Sequence, residues 1–435
     1  MTDFLTRLNV RKSLKYSTLD GAAAAAMTGL TQNYITPFAL AFQATTMQIG
    51  LLSSFPSFAM AFSQLATPWL VDKAGNRKRL ILPAVMVQAL MWLPIFLIPY
   101  LLPNTGVWWL IGLFTVGSVA SAVVNPAWQS MMADLVPIKI RGRYFSFRGR
   151  IYNFTILIAT LGAGLLLQAF TGNVFIGFAA IFGAALLFRV LSFFFLTRMY
   201  DPPVEKEEKK GPGLFATILH MGKTNAGKFT IFMMLFYFSI MFAGPFFSVY
   251  MLRDLGFDYL TYTLMNCAST ISTLVFLPFW GRRADRAGNL RIIKITASLM
   301  PFVPLVWLVS TNPIYLIFAN AFNGFIWSGF DLSSINFLYD VSDPKARTRQ
   351  IAIFNCITSV ALSLGALAGG YVAPHLPSLL GYELRTLFTI SGVMRGAAAF
   401  FVLRGIMEIR HVPKISILNL MLGRRSTGTK KEKQQ

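Results

Sequence analysis

The chain has 435 residues, of which 55% are hydrophobic and only 13% charged, and its mean hydropathy is +0.58. Soluble domains carry about 25% charged residues, so a chain with roughly half that share cannot coat a water-facing globule and must turn apolar surface towards lipid. The formal net charge of +22 sits in short basic islands between long apolar runs, not interleaved with polar groups on one face, and this excludes a nucleic-acid partner.

The predicted elements are helices, because crossing the hydrocarbon core takes about 20 apolar residues. Arg11, Lys12 and Lys15 precede the alanine run Ala22 to Ala26, and the apolar stretch continues to Phe42, too long for a cleaved leader. It is the first of twelve spans, at 20–42, 46–70, 80–102, 106–132, 145–168, 173–197, 229–252, 259–281, 291–310, 313–339, 350–373 and 384–407. Alternating segments of about 10 residues, as in a membrane β-barrel, do not occur. The expected fold class is therefore an all-α membrane protein with two six-helix halves. These are residues 1–200 and 229–435, the second carrying a basic tail, joined by the Pro-, Gly- and charge-rich linker 201–228. With both termini inside, 35 of the 39 Lys and Arg residues fall in inside segments, while only Arg253 and Arg385 lie in outside loops.

Polar groups within spans are costly and point to function. The first span holds Gln32, Asn33 and Tyr34, followed by Pro37, and the fourth holds Asn125, Trp128 and Gln129. Tyr237, Pro245 and Tyr250 lie on the seventh. The tenth carries Asn320, Asn323, Trp327, Asp331 and Asn336. Arg189 and Arg395 lie deep in the sixth and twelfth spans and read as structural pairs or as snorkelling cations. Asp20, just before Gly21, reads as an N-cap or first-turn acid. Gly365, Gly369 and Gly370 on the eleventh span, with Gly162 and Gly164 on the fifth, allow close helix approach.

The halves repeat. Ala74-Gly75-Asn76 recurs as Ala287-Gly288-Asn289, an offset of 213. At an offset of 206, Asp134, Arg141, Arg143, Arg189 and Arg198 match Asp340, Arg347, Arg349, Arg395 and Arg404, and Asn125 falls opposite Asp331. Such charged coincidences in a charge-poor chain indicate duplication, and parallel six-helix halves are a transporter architecture.

The loops after the second and eighth spans carry a resemblance. Gly281, Asp285, Arg286, Gly288 and Arg291 resemble the signature loop of the major facilitator superfamily, Gly-x-x-x-Asp-Arg-x-Gly-Arg-Lys-Arg. Asp72, Gly75, Arg77 and Arg79 form a second copy, with Pro68 and Lys73 as departures. The resemblance covers roughly residues 15–410. It implies two pseudo-symmetric bundles that carry a solute by alternating access, and a gate in which each loop Asp engages the opposite half. Asp72 would face the eleventh helix near Arg347 and Arg349, and Asp285 the fifth near Arg141 and Arg143. It also implies that the first, fourth, seventh and tenth helices line the cavity. The expected substrate or coupling residues are then Gln32, Asn33, Asn125, Gln129, Asn323, Trp327 and Asp331. Asp331 has two readings, a substrate or proton-coupling site, or a cap or pair within the inner bundle.

Sub-class signatures are missing. The fourth span has no Arg, the fifth lacks the Gly-Pro element of drug–proton antiporters, and no Pro-Glu-Ser-Pro-Arg follows the sixth. The amide and aromatic groups suit an amphipathic organic solute. The expected function is proton-coupled secondary transport by a monomer in the cytoplasmic membrane, partnered by lipid, protons and a small molecule. An uncoupled facilitator, a lipid translocase and a non-transporting sensor or scaffold are the alternatives. Cys267 and Cys356 fall in apolar runs, and His220, His375 and His411 lack ligand spacing or a nucleophile partner, so no disulfide, metal, cofactor or enzymatic activity is expected.

Overall fold

A computed structural model describes residues 2–137, 140–202, 224–342 and 347–409. Most of the expected linker 201–228, the basic tail beyond 409, and the side chains of Asp72, Arg347 and Arg349 lie outside the described residues. Helices α1 (Thr2–Thr31) and α2 (Ile35–Ala41) occupy the first expected span. Helices α3 (Thr46–Ala74), α4 (Arg77–Leu101), α5 (Gly106–Leu135), α6 (Arg141–Ala169) and α7 (Val174–Thr197) follow. In the second half come α8 (Asn225–Met241), the short α9 (Phe246–Val249) with the π-helical turn Tyr250–Asp254, and α10 (Tyr259–Ala287). Then come α11 (Asn289–Leu299), α12 (Phe302–Val309), α13 (Pro313–Val341), α14 (Arg347–Val372) and α15 (Glu383–Val402).

Among the described residues, nine helical stretches are long and apolar enough to cross a membrane. The three other expected spans are occupied by α1–α2, α3 and α13. Their amide, hydroxyl and acidic residues, such as Asn320, Asn323 and Asp331 in α13, dilute the apolar run.

The repeated loops show why the chain turns where it does. Gly75 closes α3 in the left-handed region (φ 67°), its N–H donating to Val71 O at 3.0 Å, and Gly288 (φ 87°) does the same after α10, donating to Ala284 O at 2.9 Å. Only glycine takes such a φ without steric cost, so the shared Gly is the stop signal of both helices. Asn76 then caps α4, its side chain accepting from Arg79 N.

Three spans are broken at prolines. The first breaks at Gln32–Tyr34 ahead of Pro37, the seventh ahead of Pro245, and the ninth at Met300–Pro301 ahead of Pro304. Proline lacks an N–H, so the carbonyl four residues earlier loses its helical donor, and in lipid that carbonyl must find another. Tyr262 OH donates to Asn33 O at 2.6 Å, the carbonyl orphaned by Pro37. Arg395 Nη1 lies 3.5 Å from Met300 O, the carbonyl orphaned by Pro304.

The chain divides into two compact units. The first comprises residues 1–209, 241–267 and 355–376, and the second residues 210–240, 268–354 and 377–435. In the first, α1 packs on α6 and α7, and α4 packs on α5 and α7. Phe38 sits among Phe42, Phe178 and Phe182 with ring centroids 5.0–5.1 Å away. In the second, α11 packs on α13 and α12 on α15. Its core is a run of phenylalanines, Phe229, Phe232, Phe236, Phe330 and Phe337, with Phe229 stacked on Phe354. Lipid tails are as apolar as these rings, so the packing gains are shape and dispersion more than water exclusion. Trp280, fully buried, donates to Phe325 O at 2.8 Å, and its ring covers Gly329, where a Cβ would meet it at 2.7 Å.

Candidate functional site

The two repeated loops are braced alike within their own halves. Arg77, the first residue of α4, pairs with Asp134 near the end of α5 at 2.5 Å. Asn289, the first of α11, donates to Asp340 near the end of α13 at 2.8 Å. Beside them, Asp201 accepts from Lys78 N at 3.0 Å and Glu408 from Leu290 N at 2.8 Å. A carboxylate just past the last helix of each half therefore caps the third span of that half, α4 or α11, at its start, where the macrodipole is positive. The Asp134–Asp340 match is legible as a repeat, but Asp201 and Glu408 are found only in space, since they lie 123 and 118 residues from their partners. Arg141 donates to Ala133 O at 2.6 Å. Asp285 is exposed and makes no ion pair among the described residues, and Arg79 and Arg143 are exposed too.

Asp20 is not a helix cap. It lies in the interior of α1, because that helix begins well before the apolar run, and it is buried. Ser192 on α7 donates to Asp20 Oδ1 at 2.6 Å, Arg189 donates to Ser192 at 3.1 Å, and Arg148 on α6 lies 3.8 Å from Asp20 Oδ2. The Arg148 guanidinium also covers the Trp128 ring at 4.2 Å from its centroid and crosses Gly21, where a Cβ would come within 2.8 Å. One carboxylate thus serves two arginines, joining α1, α5, α6 and α7. Arg189 behaves as a structural cation, and the acid it meets, 169 residues away in the chain, carries no local sequence signal.

Arg395 holds the equivalent place in the other half with different partners. It is 2% exposed, donates to Ser391 Oγ at 3.2 Å, and reaches Ile240 O at 3.4 Å and Met300 O at 3.5 Å. Ser391 itself donates to Ser239 O at 2.6 Å. These carbonyls end α8 and α11, the negative poles of two interrupted helices, and a cation there is favoured. Helix termini take the place of a carboxylate.

The expected cavity residues fall in two groups. In the first unit, Gln32 is exposed at the break of the first span, Asn33 offers its carbonyl to Tyr262, and Asn125 and Gln129 are exposed one turn apart on α5. In the second, Asn323, Trp327 and Asp331 recur every fourth residue on α13, so they share a face. Trp327 meets Phe330 edge-on at 5.9 Å. Asp331 is exposed, has no hydrogen bond or ion pair among the described residues, and lies within electrostatic reach of Tyr237 on α8. Asn320 is turned to its own helix, donating to Leu316 O.

One set of contacts was legible in the sequence only in part. Tyr34 OH donates to Thr160 O at 2.6 Å and contacts Thr263 Oγ1 at 2.8 Å, while Thr160 Oγ1 donates to Gly29 O at 3.0 Å. Gly164 admits the Thr263 side chain, Gly369 the Phe242 carbonyl, and Gly50 lies against Gly370. Ser363 donates to Ser54 O at 2.7 Å. Within the first unit, at the end away from the basic loops, spans one, two and five are thus laced to spans eight and eleven, and span eleven to span seven. The glycines were legible as contact points; their partners, up to 309 residues away, were not.

Comparison with known proteins matches the family described as Major Facilitator Superfamily to residues 21–232 and 229–417. Over 105 residues the chain is 26% identical to the probable multidrug resistance protein EmrY of Escherichia coli (strain K12), which is 24% of this chain and 20% of that protein. The chain therefore spans about a fifth of the length of that relative. The crystal structure of the nucleoside transporter NupG superposes with a TM-score of 0.70 at 14% identity, covering 90% of this chain and 98% of that one. The xylose transporter XylE from E. coli, in a partially occluded inward-open conformation, gives 0.67 at 13% identity over 94% and 100%.

Proposed function

The chain belongs to the major facilitator superfamily, and from that premise we propose that it is a proton-coupled secondary transporter that moves a small organic solute by alternating access, with Asp331 as the coupling or substrate-binding acid. The observation that carries this is Asp331 itself. It sits ten residues from the end of a 29-residue helix, exposed and without a partner among the described residues. An Asp facing hydrocarbon at such depth costs about 3 kcal/mol. The exposed surface at Asp331 is therefore best read as the wall of a water- or solute-filled space. One acid there, where the first half has the neutral Asn125 at the matching repeat position, can take up a proton or a cation.

The lacing of spans one, two and five to spans eight and eleven supports a state closed at the end away from the basic loops. In this reading both termini lie in the cytoplasm, residues 1–200 and 229–435 form the two moving halves, and the protein works as a monomer in the cytoplasmic membrane. The loop acids Asp72 and Asp285 latch the opposite end in the alternate state, against Arg347 and Arg349 and against Arg141 and Arg143. Asn323, Trp327, Asn125, Gln129, Gln32 and Asn33 contact the solute.

The test is uptake by the purified protein in liposomes, with nucleosides, xylose and an amphipathic cation as first solutes, with and without an inward-acid or outward-acid pH gradient. Accumulation that a proton ionophore collapses supports the proposal. Equilibration indifferent to the gradient would make the protein a facilitator and return Asp331 to a structural role.

A further inference from the structure

On the surface of the second unit, α11, the break that follows it at Pro301, and α15 with the turn after it leave a cleft of about 380 Å³. Lys294 and Arg404 stand at its rim, and Pro301, Gly396, Ala399 and Phe400 line its apolar part. None of the residues lining it is acidic. The Arg404 guanidinium rests on the Phe400 ring, 3.7 Å from its centroid, which holds the cation over the apolar part of the cleft. Lys294 is exposed and is the sixth residue of α11, about 8 Å from that helix's start, while Arg404 lies just beyond the end of α15. Both cations therefore stand near the ends of their apolar stretches, on the side of the basic loops.

The other half lacks this arrangement, although the two halves are repeats. The sixth residue of α4 is Leu82, where α11 has Lys294. At the offset of 206, Val190 and Phe193 stand where Gly396 and Ala399 leave space. Arg198, the counterpart of Arg404, lies over Tyr16 and not over Phe194, the counterpart of Phe400. The second half thus has a cation where the first has a leucine, and a glycine and an alanine where the first has a valine and a phenylalanine, all at one place. Basic clefts between helices at a membrane surface suit anionic lipid headgroups.

We propose that this cleft binds one anionic phospholipid from the leaflet facing the basic loops, its phosphate between Lys294 and Arg404 and an acyl chain along Phe400, Gly396 and Pro301. A soluble anion would use the cations but not the apolar half, so a phospholipid is the occupant that fits both. Exposed Phe302 and Phe401 beside the cleft mark the surrounding surface as lipid-facing.

Native mass spectrometry of the full chain, titrated with dioleoyl phosphatidylglycerol or dioleoyl phosphatidylcholine, tests this. One phosphatidylglycerol is expected to bind at least about tenfold more tightly than phosphatidylcholine. The double variant Lys294→Gln, Arg404→Gln is expected to lose that preference, and Lys73→Gln, which removes a cation elsewhere on the same side, to keep it. Gly396→Val, which rebuilds the first half's side chain and keeps both cations, is expected to weaken phosphatidylglycerol binding and so tests the cleft if the charge variant does not fold. Equal affinities for the two lipids, unchanged binding in both the charge and the Gly396→Val variants, or release of the bound lipid by millimolar inorganic phosphate would each overturn the proposal.

Discussion

Asp20 and Asp331 are both acids within spans, and the structure separates them by what they touch. Asp20 meets the buried Arg189 through Ser192 and the half-buried Arg148 directly. Removing one partner of a buried ionic cluster leaves uncompensated charge and costs about 3–5 kcal/mol. Asp20→Asn is therefore expected to lower the thermal unfolding midpoint of the detergent-purified protein clearly, and Ser192→Ala to do so less. Asp331 has no such partner, so Asp331→Asn is expected to leave the unfolding midpoint near that of the wild type and to change the pH dependence of transport. A large loss of stability in Asp331→Asn would show that the acid is structural. The sequence made Asp331, Arg189 and Arg395 visible because ionisable residues are rare in apolar runs. It could not place Asp20, since the burial of that acid depends on α1 starting early and on two cations arriving from α6 and α7. Asp201 and Glu408 were hidden for a plainer reason, that nothing local distinguishes a capping acid from a linker acid.

Among the elements, the interrupted helices are the parts whose cost and compensation can be read together. Pro37 frees Asn33 O and Tyr262 OH takes it, so Tyr262→Phe leaves a half-buried carbonyl without that donor, at about 1 kcal/mol. Pro37→Ala gives that carbonyl a helical N–H again. In the double variant the cost of Tyr262→Phe is expected to shrink by most of its value, which a double-mutant cycle of unfolding free energies measures. Additive costs would mean that Tyr262 acts elsewhere. Gly369 is a second case. A Cβ there would run into the backbone carbonyl of Phe242, which cannot rotate away, so Gly369→Ala is expected to cost about 1–3 kcal/mol. Gly162→Ala, where a Cβ meets nothing within 4 Å, is the matched control. Both glycines belong to motifs that the sequence singled out, and only the packing tells the tight position from the open one. Pro37 and Pro245 stood out among the polar groups of the first and seventh spans, while Pro301 and Pro304, which split the ninth span, were read through as part of one apolar run.

The whole molecule shows how far duplication carries and where it stops. The repeat was visible in Ala-Gly-Asn and in the matched charges, and the structure returns it as matched glycine turns and matched helix braces. The compact units nevertheless do not follow the sequence halves, because residues 241–267 and 355–376 pack with the first half. No periodicity reports such packing, since it joins residues hundreds of positions apart through hydroxyls and glycines that look ordinary one by one. A carrier needs such a closure to be reversible. Its hydrogen bonds here are few and neutral, Tyr34 to Thr263, Tyr262 to Asn33 and Ser363 to Ser54, each worth about 1 kcal/mol net. A seal of that strength can be opened by the few kcal/mol that separate conformational states.

The most direct test of this account is counterflow. Liposomes containing the protein are preloaded with unlabelled solute and diluted into a trace of the labelled form, for each solute that the uptake screen identifies. A carrier that exposes one site to each side in turn must show a transient overshoot of label above its equilibrium level, and the account predicts that overshoot, saturable in solute. Flux that rises linearly with concentration and never overshoots, or no flux for any solute tried, would contradict alternating access and leave a channel or a non-transporting membrane protein in its place.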